Sequence, residues 1–253
     1  MHPTLARFSS TGAEIWDRSY IDNVNDPLSS DVALDSSGNI FIAGRYDGPS
    51  SYDVMVRKHT SSGTETWTTT HDGGTVLDLG NGIAVDSSDN AIAVGWSNSN
   101  GWIGKYDTAG NELWVTAYDG GEGDIAQRVA VDGSDDIVVV GTSGVAGQVD
   151  VFLGKFDSAG GEIWTKTLDG PDGSHDYGND VAVDSLGNIL VVGSLLNDGD
   201  DDVWLAEYDS AGTEIWTTVY PDAGDAEALA VAVDSNDNGI VITSDGYVRK
   251  YAP

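Results

Sequence analysis

An all-β protein built as a five-bladed β-propeller is the fold that the sequence predicts, and three observations predict it. The chain repeats itself with a period of about 50 residues. Each period contains four short segments in which apolar and polar residues alternate, as they do in strands. No segment shows the 3.6-residue periodicity of an amphipathic helix. Four short strands per period indicate blades of antiparallel sheet repeated around an axis.

The outermost strand of each blade is predicted from the phrase Glu-x-Trp, which occurs five times. Because Glu and Trp stand two residues apart, they share one face of a strand. We therefore expect the Trp side chains to pack between neighbouring blades. The phrase ends at Trp16, Trp67, Trp114, Trp164 and Trp216.

The innermost and second strands are predicted from one longer phrase, which first occurs at residues 31–44. Its two apolar segments flank a Ser-Ser-Gly-Asn turn, which indicates a tight hairpin. The aspartate before each turn is expected to accept hydrogen bonds from the turn backbone. One turn position requires a residue that tolerates positive φ, and it is filled by Gly38, Asp89, Asp135, Gly187 and Asp237.

The third strand carries a basic or acidic residue followed by an aromatic residue or His, and it occurs six times. One blade is predicted over each of the ranges 31–70, 82–118, 128–168 and 180–220. The last blade takes its first three strands from residues 230–251 and its outer strand from residues 13–20. This closure by N- and C-terminal strands leaves no open sheet edge.

The segment at residues 5–8 is then a surplus strand in a single propeller domain that spans residues 1–253. One expectation is that it lies displaced and frayed, or that the chain is part of a longer array. The alternative is strand exchange, in which the surplus strand fills a place in a second molecule. The residues of that assembly hypothesis are Leu5, Ala6, Arg7 and Phe8.

This layout resembles the SBBP β-propeller repeat family, with a looser likeness to NHL-type blades. The residues that carry the resemblance are 180–189, Lys155-Phe156-Asp157 and the segment from Gly212 to Trp216. The resemblance extends over nearly the whole chain and implies a propeller fold. Such repeats occur in surface and secreted proteins without a shared chemistry, so the resemblance implies an extracellular or cell-surface location.

The charge balance excludes several kinds of partner. The net charge is −31, with 11 Lys and Arg against 42 Asp and Glu. Nucleic-acid binding needs a basic surface, and anionic lipid would repel this chain. No apolar run approaches the roughly 20 residues of a membrane span, and the absence of Cys excludes disulfides. The acidity favours adaptation to a salty medium, and calcium binding by clustered carboxylates is the alternative.

A recurring aspartate in the loop before each innermost strand is the candidate metal ligand. Five-fold placement predicts a ring of carboxylates near one mouth of the central channel, where Ca²⁺ is the cofactor that fits. The alternative is that this aspartate only caps the same loop in each blade and binds nothing. The five residues are Asp26, Asp78, Asp124, Asp176 and Asp225.

Two aromatic residues are the candidate ligand-binding residues. Tyr46 and Trp96 each follow a strand-ending glycine in the loop between the second and third strands. Exposed aromatic rings at such loops favour a protein or glycan ligand. His175 is the one histidine suited to acid–base chemistry. No catalytic residues are predicted, because the chain has no nucleophile elbow, zinc motif or phosphate loop.

The sequence therefore predicts a non-enzymatic binding or scaffold module, extracellular or at a cell surface. One alternative is a structural subunit of an extracellular assembly or filament, built by terminal strand exchange. The other alternative is an enzyme that uses a cation at the channel mouth. Self-association through the N-terminal strand is expected only in the assembly alternative.

Overall fold

A computed structural model describes residues 4–19, 28–48, 51–74, 77–121, 123–145, 147–170, 173, 175–197, 199–221 and 225–252. These residues form strands and turns, without a helix. Accordingly, no helix long and apolar enough to cross a membrane occurs in the described ranges. The chain divides into two compact units, Met1–Thr116 and Ala117–Pro253.

The first unit contains a two-stranded sheet followed by two four-stranded sheets, whose strands follow chain order. Neighbouring strands are therefore joined by hairpins. The final strand of this series reaches two residues into the second unit. The strands are β1 (Thr4–Phe8), β2 (Glu14–Ser19), β3 (Leu28–Leu34), β4 (Ile40–Asp47), β5 (Tyr52–His59), β6 (Glu65–His71), β7 (Leu79–Val85), β8 (Ala91–Ser97), β9 (Asn100–Tyr106) and β10 (Glu112–Tyr118).

The second unit contains two four-stranded sheets and a final sheet of three strands, again in chain order. In each full sheet the predicted innermost, second, third and outermost segments occur in that order, which confirms the strand assignment. The strands are β11 (Ile125–Val131), β12 (Ile137–Val145), β13 (Gln148–Phe156), β14 (Glu162–Leu168), β15 (Asp176–Val183), β16 (Ile189–Asn197), β17 (Asp200–Tyr208), β18 (Glu214–Tyr220), β19 (Ala228–Val233), β20 (Gly239–Thr243) and β21 (Val248–Tyr251).

The predicted count of five blades is wrong, because the described residues form six sheets. The segment predicted at 13–20 as the outer strand of the last blade pairs instead with residues 5–8, with Leu5 opposite Arg18. Loop closure gives the physical reason. β1 and β2 are joined by a short turn closed by hydrogen bonds between Ser9 and Ala13, whereas pairing with β21 requires closure over most of the chain.

The turns between innermost and second strands have the predicted chemistry. Gly38 and Gly187 have φ of 72° and 84°, and Asp89, Asp135 and Asp237 have φ of 64°, 63° and 61°. The aspartate before the turn closes it: Asp35 Oδ1 accepts the N–H groups of Ser37 and Asn39 over 3.0 and 2.8 Å. The same two bonds recur at Asp86, Asp132, Asp184 and Asp234.

Successive sheets within a unit pack face to face, which explains why second and third strands are apolar at nearly every position. Val191 on β16 packs toward the preceding sheet, against Val138 and Val140. Its neighbours Leu190 and Val192 pack toward the following sheet. Because adjacent side chains point to opposite faces of a strand, one strand contributes to two separate cores.

Trp16, Trp67, Trp164 and Trp216 pack between sheets, as predicted for the outer-strand tryptophans. Trp67 packs on the core that β4 and β5 form with β8 and β9, and its ring meets Phe41 edge-on at 5.8 Å. Its Nε1–H donates to Thr108 O, in the next sheet, over 3.2 Å. The equivalent bonds run from Trp16 to Ser61 O and from Trp164 to Ser210 O.

A glycine that recurs at the end of the second strand lies opposite a bulge in the innermost strand. In the second unit the register shifts between Ala126 and Arg128, opposite Gly141. A Cβ atom at Gly141 would overlap the carbonyl oxygen of Ile125. The backbone approach at the bulge therefore requires glycine at this position.

Candidate functional site

Of the five predicted metal-binding aspartates, three are fully buried. Asp78, Asp124 and Asp176 each have 0% exposed surface, whereas Asp225 is exposed. Asp26 lies outside the described residues. The buried positions have the same place in three successive periods, immediately before the innermost strand of a sheet.

The buried aspartates hold loops together by accepting backbone hydrogen bonds. Asp78 accepts the N–H of Gly73 at 2.7 Å through Oδ2 and the N–H of Asn98 at 3.1 Å through Oδ1. Each bond satisfies a backbone donor at a loop, where no strand partner exists. The same pair of bonds is made by Asp124, from Gly120 and Gly144, and by Asp176, from Gly170 and Leu196.

Two of these aspartates belong to local clusters of three carboxylates, which we name clusters A and B. Cluster A is Asp53, Asp72 and Asp78, in the first unit. Cluster B is Asp150, Asp169 and Asp176, in the second unit. Within each cluster the three residues offer oxygen atoms that all lie within 4.8 Å of one another.

The two clusters are built from the same positions of the repeat. The first member begins the third strand of a sheet, at Asp53 or Asp150. The second member follows the outermost strand of that sheet, and the third precedes the next innermost strand. In both clusters the first and third members are buried and the second is exposed, so each cluster is open to solvent on one side only.

Burial and mutual repulsion raise the pKa values of Asp53, Asp150 and Asp176. Burial is the main cause at Asp176, where the charges of Asp169 and Asp150 add to it and the pKa rises to about 6. Burial, followed by the charge of Asp169, also raises the pKa of Asp150. In cluster A, burial and the charges of Asp72 and Asp78 raise the pKa of Asp53. Each cluster therefore concentrates negative charge in a partly dry environment.

The sequence pattern identifies Asp78 and Asp176 but not the residues that surround them. The signal that identifies the missing members is a polar residue at the start of an otherwise apolar strand. Asp53 and Asp150 each stand five residues before the lysine of the third strand, Lys58 or Lys155. Only strand register brings that position beside the loop aspartates.

The two predicted ligand-binding aromatics are half-buried. Tyr46 packs beside Ile40, Ile42 and Met55 at the edge of a core. The indole N–H of Trp96 is buried and donates no hydrogen bond to the described residues. The prediction that they lie in the loop between the second and third strands is wrong, because the pairing of the two strands continues past the glycine. Tyr46 is opposite Asp53 and Trp96 is opposite Gly101, so each residue stands near the end of its strand, next to the loop.

His175 is exposed and stands beside cluster B. Its Nδ1 atom accepts the N–H of Val149 over 3.0 Å, and its carbonyl oxygen accepts the N–H of Leu196 over 3.3 Å. These bonds link the loop before β15 to the ends of β12–β13 and β16.

The predicted assembly residues line an apolar groove in the first unit. Leu5, Ala6, Arg7 and Phe8 form one side of a cavity of about 410 Å³, and Val32 and Leu34 lie on the other side. Val32 and Leu34 are 53% and 62% exposed. Among the described strands, β1 pairs only with β2, so its other edge has no strand partner there.

Comparison with known families confirms the repeat assignment. Residues 170–194 match the SBBP model, described as a beta-propeller repeat. This segment includes the loop and the two strands around Asp176. No curated protein sequence matches the chain significantly.

Solved structures that resemble the chain are propeller proteins. A Bacteroides caccae protein of unknown function aligns at 13% identity and a TM-score of 0.60, over 94% of this chain and 81% of its own. Virginiamycin B lyase from Staphylococcus aureus aligns at 11% identity and a TM-score of 0.55, over 88% of this chain and 69% of its own. Chaetomium thermophilum Sqt1, bound to the N-terminus of ribosomal protein L10, aligns at 10% identity and a TM-score of 0.67, over 95% of this chain and 61% of its own. Identities this low establish likeness of fold alone.

Proposed function

We propose that this chain of SBBP-type β-propeller repeats is a non-enzymatic binding or scaffold module for a protein ligand, located outside the cell or at its surface. The observation that carries the proposal is that some parts of the repeats are alike and others differ. Their strands and their turns at Asp35 and its equivalents are alike, whereas the loops between second and third strands differ in length and sequence. Variable loops on a repeated rigid frame are typical of binding proteins.

The aromatic rings and the charge favour a basic protein segment as the ligand. Tyr46 and Trp96 stand at two of the variable loops and offer apolar, partly buried rings. The net charge of −31 attracts cationic partners over long range and repels anionic ones. Sqt1, which has a similar fold, is bound to a segment of a ribosomal protein, and such binding is the mode that we propose here.

Arrays of peptides that differ in net charge, together with a glycan array, test this proposal. We expect the protein to retain basic, aromatic-containing peptides, with retention that weakens as salt is added. Trp96→Ala should lower retention, and Tyr177→Ala, which truncates an exposed ring on an innermost strand, should not. Selective retention of glycans, or equal retention by the two variants, would overturn the assignment of a protein ligand to these loops.

The absence of enzymatic activity is tested separately. Virginiamycin B lyase shares the fold, so lactone and glycan substrates, each with added Ca²⁺, form the first panel. We expect no turnover above that of heat-denatured protein. Turnover that disappears in His175→Ala would instead support the cation-dependent enzyme.

A second candidate function, a subunit of an extracellular assembly, is favoured by the two incomplete sheets. The sheet β1–β2 has the third and fourth strands of a blade, and the sheet β19–β21 has the first three. The occupant proposed for the apolar groove beside β1 is the C-terminal sheet of a second copy, which would supply the missing inner strands. Docking there would bury Val32 and Leu34.

Sedimentation velocity over a range of protein concentrations tests the assembly. We expect Leu34→Asp to reduce self-association, because it places a charge in the groove. Leu186→Asp is the matched control, since Leu186 is 76% exposed, lies in a turn of the second unit and is not among the residues that line the groove. A wild-type protein that stays monomeric at all concentrations would exclude this function.

A further inference from the structure

We propose that clusters A and B each bind one calcium ion through their three aspartates. The ligands are Asp150, Asp169 and Asp176 in cluster B, and Asp53, Asp72 and Asp78 in cluster A. This assignment differs from a ring of one aspartate per blade, because each cluster takes its ligands from three positions of the repeat. It stands independently of the proposed ligand-binding function.

The spacing of the carboxylate oxygens fits a calcium ion. Oxygen ligands lie 2.3–2.6 Å from Ca²⁺, so two ligands of one ion are at most about 5 Å apart. The oxygens offered by each cluster lie within 4.8 Å of one another. An ion can therefore contact all three carboxylates without a change of backbone conformation.

An unsatisfied buried oxygen points independently to a ligand in cluster B. Asp150 is 7% exposed, and its Oδ1 atom has no hydrogen-bond partner. A buried carboxylate oxygen without a donor is strongly unfavourable. A cation bound among the three aspartates would supply the missing interaction.

The third member of each cluster is held in a fixed orientation. Asp176 accepts N–H groups from Gly170 and Leu196, and Asp78 accepts N–H groups from Gly73 and Asn98. A carboxylate has about four acceptor positions, so two remain on each residue for a metal ion. Ligands held in this way lose little conformational entropy when the ion binds.

The donor set selects calcium among common divalent cations. All three donors are carboxylate oxygens, which hard cations prefer, whereas zinc favours the nitrogen and sulfur donors of His and Cys. Asp72 and Asp169 are exposed, so water can complete the six to eight ligands of Ca²⁺ on the open side. Mg²⁺ demands a nearly ideal octahedron and gives up its water reluctantly, whereas Ca²⁺ accepts flexible geometry, so a site with one side open to solvent favours Ca²⁺.

The recurrence of the cluster gives the proposal an internal comparison. In both clusters the second member stands nineteen positions after the first. In the intervening repeat the residue that corresponds to Asp53 and Asp150 is Asn100, so that repeat lacks one of the three carboxylates. In the last full repeat the equivalent position holds Asp202, but the position nineteen residues later is Pro221, so that repeat also lacks one of the three carboxylates. We therefore expect two calcium ions per chain.

Isothermal titration calorimetry of chelator-treated protein with CaCl₂, at constant ionic strength, is the direct test. Wild-type protein should bind two equivalents of Ca²⁺. Asp150→Asn and Asp53→Asn should each bind one, and the double variant none. Asp17→Asn removes one exposed carboxylate outside both clusters and should still bind two.

Thermal unfolding provides a second measurement and controls for folding of the variants. Ca²⁺ should raise the melting temperature of the wild type more than NaCl of equal ionic strength, whereas Mg²⁺ should have a smaller effect. In wild-type protein, Tb³⁺ luminescence excited through tryptophan should appear and be displaced by Ca²⁺. Equal responses to CaCl₂ and NaCl, absence of calorimetric binding by the wild type, or two equivalents in the double variant would each overturn the proposal.

Discussion

Lys155 Nζ donates a hydrogen bond of 2.8 Å to Asp132 Oδ2, and the two side chains are only 6% and 7% exposed. Asp132 also accepts the turn N–H groups of Ser134 and Asp136. The pair therefore fastens the third strand of the sheet to the turn between its two inner strands. Equivalent pairs join Lys58 to Asp35 and Lys105 to Asp86.

The first prediction concerns this buried pair. Lys155→Met should lower the free energy of unfolding by about 3 kcal/mol, because Asp132 keeps its buried charge and loses its counter-ion. Urea unfolding followed by tryptophan fluorescence measures the change. Lys250→Met is the matched control: Lys250 pairs with Asp234 at 2.6 Å, but its side chain is 57% exposed, so the loss should be much smaller. Equal losses would contradict the role of burial.

The second prediction is the pH dependence of the same pair. Burial alone would raise the pKa of Asp132, but hydrogen bonds from Lys155, Ser134 and Asp136 outweigh it, and the pKa lies below its ordinary value. A lowered pKa gives stability that is complete above the ordinary value of about 3.9 and is lost as the pH falls through the folded-state pKa. The difference in unfolding free energy between wild type and Lys155→Met should therefore shrink below about pH 4. A difference that stays constant down to pH 3 would show that the ion pair contributes nothing.

The third prediction concerns the glycine opposite the bulge. Gly141→Ala should destabilise the protein by about 3 kcal/mol, because the new methyl group overlaps the Ile125 carbonyl and the two strands must separate. Gly133→Ala is the control, since nothing lies within 4 Å of a Cβ atom there. Chemical denaturation of the two variants compares them directly. A stable Gly141→Ala would mean that the bulge can relax at little cost.

The fourth prediction tests a hydrogen bond between neighbouring sheets. Asp180 Oδ2 accepts the N–H of Val231, a buried residue of the next sheet, over 2.8 Å. Asp180→Ala should cost about 1–3 kcal/mol, because this backbone donor loses its partner. Asp180→Asn keeps an acceptor oxygen and should lose less. Amide hydrogen exchange at Val231 should be faster in the Ala variant, and unchanged exchange would contradict the assignment.

Local structure could be predicted from this sequence because the determinants are close together along the chain. Asp89 and Gly187 adopt positive φ as expected, because a tight turn between two antiparallel strands requires that backbone conformation. The strand order followed from the repeated phrases for the same reason. Closure of the last blade could not be predicted in this way, because the choice of β1 or β21 as partner of β2 depends on competition between a short loop and a long one.

The candidate site could be predicted only in part. Asp78 and Asp176 were identifiable because they recur before each innermost strand. The position of Asp53 and Asp150 holds an aspartate, Asp202, in one further full sheet and Asn100 in the remaining one. Its distance along the chain from the loop aspartates hides the contact. Strand register, which fixes the position where the third strand begins, brings the three carboxylates together.

The bond from three of the outer-strand tryptophans to a carbonyl of the next sheet has a consequence for how such a chain evolves. Trp16, Trp67 and Trp164 find the same acceptor position in the following period. Unequal recombination that removes or adds a whole period would thus rejoin surfaces that already match. Copy number is free to drift within a lineage while each junction stays intact, and only the terminal copies face a new neighbour.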